Sequence, residues 1–188
     1  MWKLWLGVVM FAGPHLFSTL LPVVRDGLKS RLGPGPWRGA YSLVALAGVV
    51  LLALAYLDGR AAGGSLLYEP MAGARHITML LTLLGFILIA ASHGKGHIKS
   101  IVKHPMSLGV ALWSAGHLLA NGETVVVVIF GSLLVIAIFD IVLSLARGKV
   151  PAHQPSLRSD ITAVVGGALV YGVLLFGFHP YILQVPVV

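Results

Sequence analysis

Long apolar segments constrain this chain more than any other feature of its sequence. Six windows match or approach the length needed to cross a hydrocarbon layer of about 30 Å at a rise of about 1.5 Å per residue. They cover residues 4–21, 40–57, 76–92, 105–120, 124–146 and 161–179. The backbone inside a bilayer must form its hydrogen bonds within each segment. The sequence therefore predicts an all-α polytopic membrane bundle of six transmembrane helices, forming a single domain over residues 1–188.

The composition supports a membrane protein and narrows its chemistry. Hydrophobic residues make up 57% of the chain and charged residues 10%, with a mean hydropathy of +0.94. That balance leaves too little polar surface for an ordinary water-soluble domain. The chain has no cysteine, which excludes disulfides, cysteine-ligated metals and thiolate nucleophiles. Any cofactor must be held by nitrogen, oxygen or methionine sulfur.

Lysine and arginine are distributed unevenly between alternate loops. Ten lie in residues 22–39, 93–104 and 147–160, whereas the opposite side carries only Lys3, Arg60 and Arg75. Because positive charge is retained in the cytoplasm, this asymmetry predicts that both termini lie on the other side of the membrane. The first window is expected to be a retained span rather than a cleaved signal. The net charge of +7 is spread over short loops, which indicates contact with lipid headgroups and argues against nucleic acid.

Ionisable side chains within the predicted spans are the first candidates for function, because such groups are costly in a bilayer. These are His15, His117 and Asp140. Asp140 is expected to face the bundle interior, with either a hydrogen bond to His15 or a salt bridge to Arg25 or Arg147. The other histidines considered fall near span ends or in a loop and are interpreted as interfacial or solvated: His76, His93, His104, His153 and His179.

The fourth window carries the most unusual pattern. His104 and His117 lie about 140° apart around a helix, so a straight helix cannot present both to one cofactor. Trp113 and Ser114 share the face of His117, together with Met106 and Val110. Neutral imidazole is a normal axial ligand for haem iron. Taken alone, however, these residues fit a haem held by His15 and His117, a structural histidine pair or a proton path equally well.

Two stretches of the chain resemble a known family. They are HLFSTLLPVVRDGLKSRLGPGPWRGAYSLVALAG at 15–48 and KHPMSLGVALWSAGHLLANGETVVVVIFG at 103–131. On these motifs the chain resembles the NnrU family, whose members include the zeta-carotene isomerase of plants and cyanobacteria. The resemblance implies a six-span protein, here of the bacterial inner membrane with periplasmic termini.

The same resemblance implies a cofactor and a site. In the isomerase, haem b supports a cis-to-trans conversion, and the histidines matching His15 and His117 are its proposed axial ligands. The isomerase has cysteine at the position of Ser114, so redox-dependent ligand exchange through that cysteine is not expected here. Trp113, Ser114 and Asp140 complete the expected cofactor-binding set. Bacterial members are associated with denitrification and nitric oxide metabolism.

Two alternatives remain. The KHPMSLG element beginning at Lys103 is similar to a signature of membrane methyltransferases that use S-adenosylmethionine, although the glutamates expected to follow it are missing. A non-enzymatic component that assists assembly or transport of a denitrification enzyme is the other. The expected partners are the lipid bilayer and a lipophilic small molecule such as a polyene. His104 is predicted to cap its helix at the membrane surface rather than to bind a cofactor.

Overall fold

A computed structural model describes residues 1–148 and 152–185 as a helical bundle. The α-helices are α1 (Trp2–Leu20), α2 (Pro22–Leu32), α3 (Pro34–Ala61), α4 (Ala74–Ser92), α5 (His97–Val102), α6 (Pro105–Ala120), α7 (Thr124–Ala146) and α8 (Leu157–Val173). A π-helix, Leu174–Ile182, continues α8. Each of the six predicted windows corresponds to one long helix, and the all-α prediction is confirmed. No strand forms within the described residues, where Leu66 and Glu123 make an isolated bridge.

Fewer helices qualify as membrane spans by length and composition than the six that the sequence predicts. Four helices among the described residues are long and apolar enough to cross a bilayer: α3, α4, α7 and α8 with its π-helix. A fifth span results if α1 and α2 are counted as one broken span, with a bend of 102° between them. Helix α6 has 16 residues and is too short by the same criterion. The prediction of six spans is therefore not confirmed, although a membrane bundle is.

Prolines set the helix boundaries near the first bend. Pro22 and Pro34 each occupy the first turn of a helix, where the missing N–H costs no hydrogen bond. Gly33, at φ +87°, makes the turn between α2 and α3. Residues 22–39, counted as a loop in the sequence, are helical except at Gly33. The prolines that suggested a loop instead begin α3.

Small residues bring α4 and α6 into close contact. A Cβ atom on Gly85 would lie 2.7 Å from the carbonyl oxygen of Gly109, and one on Gly109 would lie 2.5 Å from that of Gly85. Thr78 Oγ1 donates a hydrogen bond to the Gly116 carbonyl across the same interface, at 2.7 Å. Close backbone approach at small residues is the usual way that membrane helices pack. These contacts fix the register of α6 against α4.

Close backbone approach at a glycine also occurs at two other helix pairs. A Cβ on Gly48 of α3 would meet the backbone nitrogen of Phe11 in α1 at 2.6 Å. On α8, a Cβ on Gly167 would lie 2.6 Å from the Cα of Ile87 in α4. Leu4 and Leu52 are buried in the small core between α1 and α3. Helix α4 consequently forms a common wall for α6 and α8.

The loops lie at two ends of the bundle and alternate between them along the chain, as predicted. At one end, which we call the loop-62 end, residues 62–73 lie against the turn that joins α6 to α7. Leu67 N donates to the Gly122 carbonyl and Thr124 N to the Ser65 carbonyl, both at 2.8 Å. Tyr68 Oη donates to the Leu118 and Asn121 carbonyls.

The opposite end, which we call the basic end, joins α5 to the start of α8. Asp160 accepts hydrogen bonds from the backbone N–H groups of His97 and Ile98, each at 3.0 Å, and lies 2.8 Å from His97 Nδ1. Most of the lysines and arginines counted in the sequence belong to this end, although Lys149 lies outside the described residues. The structure thus groups the loops as predicted, without fixing which end faces the cytoplasm.

Replacement of Gly109 by Ala is expected to destabilise the protein, because the added methyl group meets the backbone of α4, which cannot rotate away. Overpacking of this kind costs about 1–3 kcal/mol. Gly131 on α7 is the matched control, since a Cβ there meets nothing within 4 Å. Gly131→Ala should be neutral or stabilising by up to about 1 kcal/mol through helix propensity. Thermal unfolding of both variants in detergent measures the difference, and equal melting temperatures would contradict the packing argument.

Candidate functional site

The bundle surrounds a partly open apolar cavity of about 630 Å³ toward the loop-62 end. Helices α1, α3, α4, α6, α7 and α8 all contribute to its wall, and the π-helix and residues Pro70 and Met71 close it near the loop. A volume of this order is typical of a site for one small-molecule ligand. The polar lining residues are few: Tyr56, Arg75, Thr78, Thr82, His117, Asn121, Tyr171 and His179.

His117 lies in the wall of this cavity, half-buried among aromatic rings. Its ring stacks on Phe130 at a centroid distance of 4.1 Å and an interplanar angle of 15°, and it meets Trp113 edge-on at 5.8 Å. His117 Nδ1 lies 3.0 Å from the Trp113 carbonyl. A carbonyl only accepts, so in a neutral ring the proton resides on Nδ1 and the lone pair on Nε2. The ring is thereby oriented as a ligand or proton acceptor.

His179 faces the same cavity, on the π-helix. Its ring centroid lies 6.3 Å from that of His117, and its Nδ1 lies 2.7 Å from the Leu174 carbonyl. The sequence interpretation placed His179 with the interfacial histidines, because it falls at the end of the last apolar window. The helix instead continues to Ile182 as a π-helix, a form that often occurs at functional sites.

His15 lies outside the cavity wall as the described residues define it. Its ring stacks on Phe11, a lining residue, at 4.6 Å and meets Tyr41 edge-on at 5.3 Å. His15 Nδ1 lies 2.7 Å from the Phe11 carbonyl. In a neutral ring the lone pair is therefore on Nε2, as in His117. Phe11 is thus the lining residue that the His15 ring contacts.

The depths of His15 and His117 follow from a shared hydrogen-bond partner. Thr19 on α1 and Ser107 on α6 both bond to Asp140 and so lie at about one depth. His15 is four residues from Thr19, or about 6 Å toward the loop-62 end, and His117 is ten residues from Ser107, or about 15 Å. Their backbones therefore differ in depth by about 9 Å.

Asp140 faces the bundle interior, as expected, but with different partners. Thr19 Oγ1 lies 3.3 Å from its Oδ1, and Ser107 Oγ lies 2.5 Å from its Oδ2. Within the described residues it makes neither the hydrogen bond to His15 nor the salt bridge to an arginine that the sequence suggested. Arg25 pairs with Asp26 instead. Asp140 thus connects α1, α6 and α7 on the side of the cavity that faces the basic end.

Two other residues of the fourth window differ from expectation. Ser114 is completely buried, with no hydrogen-bond partner for its Oγ among the described residues, and it is not in the cavity wall. It lies about 60° from His117 and about 100° from Trp113 around the helix, at the edge of their shared face. His104 precedes α6 but makes no side-chain capping hydrogen bond, and its Nε2 is buried without a partner in the described structure. The predicted capping role is therefore not observed.

The described residues contain no group of three or more metal-ligating side chains. The cavity instead offers two imidazoles, His117 and His179, within otherwise apolar walls. Such an arrangement can bind an apolar ligand, coordinate the iron of a macrocycle that brings its own equatorial ligands, or exchange protons. Water-soluble polar substrates are disfavoured, because the walls could not replace their hydrogen bonds to water.

Fold and cavity together define a helical integral membrane protein with a histidine-lined cavity. The family model described as NnrU protein matches residues 3–187, nearly the whole chain, so the chain belongs to the NnrU family. This confirms the resemblance seen in the sequence. No curated protein and no solved structure shows significant similarity to it.

Asp140→Ala is expected to lower the free energy of unfolding by about 1–3 kcal/mol, because it leaves the hydroxyls of Thr19 and Ser107 without their acceptor. Asp140→Asn should cost less, since the amide oxygen can still accept one of these bonds and a hydroxyl can accept from the amide nitrogen. Thermal unfolding in detergent compares the two variants. Equal destabilisation by both would show that the carboxylate charge, rather than the hydrogen bonds, stabilises this position.

Proposed function

We propose that this NnrU-family protein binds haem b in the apolar cavity, with His117 as an axial ligand. The observation that supports the proposal is the placement of His117 in the cavity wall with its Nδ1 against the Trp113 carbonyl. Metal-binding histidines usually donate their other ring N–H to a carbonyl or carboxylate, which fixes the tautomer and raises ligand basicity. The Phe130 and Trp113 rings hold the imidazole in this orientation.

The residues present fit a haem. The walls are apolar, as a porphyrin requires, and the cavity of about 630 Å³ is deep enough in the bundle to draw contacts from six helices. When bound, haem b supplies a redox-active iron whose behaviour is set by its axial ligands and surroundings. The protein supplies the imidazole, its orientation and the exclusion of water.

For the second axial position, the resemblance implies His15 and the cavity offers His179. Both rings have Nδ1 against a backbone carbonyl. We propose His179, because it lines the same cavity and its ring centroid lies 6.3 Å from that of His117. His15 is not among the described residues that line the cavity, and its backbone differs in depth from that of His117 by about 9 Å.

Cavity size also bears on the activity. Sites of this order of volume hold one drug-sized ligand, so a haem leaves no room for a long polyene beside it. Of the roles that the family resemblance suggests, a haem protein of nitric oxide or denitrification metabolism therefore fits better than an isomerase of a lipophilic polyene. The methyltransferase alternative gains no support, since His104 and the rest of the KHPMSLG element lie outside the cavity wall.

The reduced-minus-oxidised visible spectrum of the detergent-purified protein tests the haem and its ligands. We expect low-spin, six-coordinate haem b in the wild type. Removing one axial nitrogen leaves the iron five-coordinate or empties the site, so His117→Ala and His179→Ala should each abolish the six-coordinate spectrum. His104→Ala and His15→Ala should preserve it.

The four variants distinguish a wrong choice of axial ligand from a wrong location of the site. Loss of the six-coordinate spectrum in His15→Ala, with His179→Ala unchanged, would restore the ligand pair implied by the resemblance. Loss only in His104→Ala would show that the site lies on a different part of α6. A colourless wild-type protein that takes up no added haem would refute the proposed function.

We also propose that the protein lies in the bacterial inner membrane with its termini in the periplasm. Single-cysteine labelling is well suited to this cysteine-free chain. Gly122 is a poor site, because a side chain there would meet the Tyr68 carbonyl. Exposed Glu69 at the loop-62 end and exposed Ser30 at the basic end are better. A membrane-impermeant maleimide should label Glu69→Cys, but not Ser30→Cys, from the periplasm, whereas the reverse pattern would invert the topology.

A further inference from the structure

Arg75 is the charged residue of the cavity wall, on the first turn of α4. We propose that it binds a carboxylate at one end of the ligand, so that the cavity selects an apolar body with an acidic end. This inference rests on the proposed function, where the acidic end is a propionate of haem b. It adds a second recognition element that is independent of the iron.

The register of α4 and α6 places Arg75 near His117. Thr78 Oγ1 donates to the carbonyl of Gly116 at 2.7 Å, so Thr78 lies level with the residue before His117. Arg75 is three residues earlier on α4, or about 4.5 Å closer to the loop-62 end. The His117 imidazole thus lies deeper in the bundle, and the Arg75 guanidinium lies along the same wall nearer its end. An apolar ligand with one acidic edge requires this order.

Arg75 has no hydrogen bond or ion pair to any other described residue. The acidic residues of the loop-62 end do not neutralise it. Asp58 pairs with Lys3 at 2.7 Å, and Glu69 and Glu123 make no ion pair within the described structure. The other arginine of this end, Arg60, donates from Nη1 to the Leu183 carbonyl at 3.0 Å. Arg75 is therefore available to a ligand, whereas Arg60 is engaged in holding the C-terminal segment.

The Arg75 side chain is exposed at the loop-62 end of this wall, so it would meet a ligand carboxylate at the mouth of the apolar cavity. A carboxylate that enters apolar surroundings without a partner loses its hydration at high cost, and a guanidinium can replace that hydration with two parallel hydrogen bonds. Haem b carries two carboxylates on one edge of an apolar ring. A carotene is a pure hydrocarbon and would gain nothing from Arg75. The position of this arginine therefore favours an acidic ligand over a neutral polyene.

Titration of the purified apoprotein with haem b and with its dimethyl ester tests the proposal. The two probes share the ring and iron but differ in their carboxylates. Wild type should bind haem b more tightly than the ester. Arg75→Gln should weaken haem b binding by up to about five-fold, the range expected for an ion pair at an exposed arginine, while leaving ester binding nearly unchanged.

Two further variants control for charge and folding. Arg60→Gln removes one positive charge at the same end and should leave the preference for haem b intact. Arg75→Lys retains the charge and should restore part of the preference, with the axial spectrum unchanged in each case. Thermal unfolding of the apoproteins in phospholipid-free detergent verifies that all variants are folded.

Equal affinity of wild type for both probes, or an equal loss for both in Arg75→Gln, would overturn this inference while the haem site itself stood. That outcome would assign Arg75 to a lipid headgroup at the membrane surface. Failure of the wild type to bind either probe would instead overturn the proposed function and this inference together.

Discussion

The close approach of α4 to α6 at Gly85 and Gly109 is the contact on which the site depends. It lets Thr78 reach the Gly116 carbonyl and brings Phe86 within 5.7 Å of Trp113, measured between ring centroids. The opposite face of α4 carries α8 through the contact of Gly167 with Ile87. The two histidines therefore reach the cavity from helices that pack on a common partner. Inside a bilayer such contacts matter because lipid is as apolar as the side chains, so tight packing rather than hydrophobicity selects the arrangement.

The helices could be predicted from the sequence because each apolar window must satisfy its own backbone hydrogen bonds. Which of these helices can cross the bilayer was harder to predict. The bend at Leu21 separates α1 from a polar helix that the sequence suggested was a loop, and α6 has the composition of a span without the length. Residues 34–39 were misjudged because proline breaks a helix only in its interior. In the first turn it begins one.

Only part of the site could be predicted, because some residues that meet in the structure lie far apart in the sequence. Trp113 and His117 lie one helical turn apart, so their common face is visible in the sequence. Ser114 lies beside them in sequence but rotates into the contact between helices. His179 reaches His117 only through the packing of the last helix on α4, which no local pattern records. His15 attracted attention because of its depth, yet depth alone does not place a residue in the cavity wall.

The contribution of the last helix to the cavity has a consequence for biosynthesis. The wall includes Tyr171, Leu174, Leu175, Phe178 and His179, and the basic end is tied to the start of the same helix through Asp160. Neither feature can form while the ribosome is still translating the segments before it. A nascent chain in the translocon would therefore expose an open groove on α4 and α6 to lipid or to an insertion factor. The cavity could therefore take up a ligand of the proposed kind only after synthesis of the last helix, when the bundle is complete.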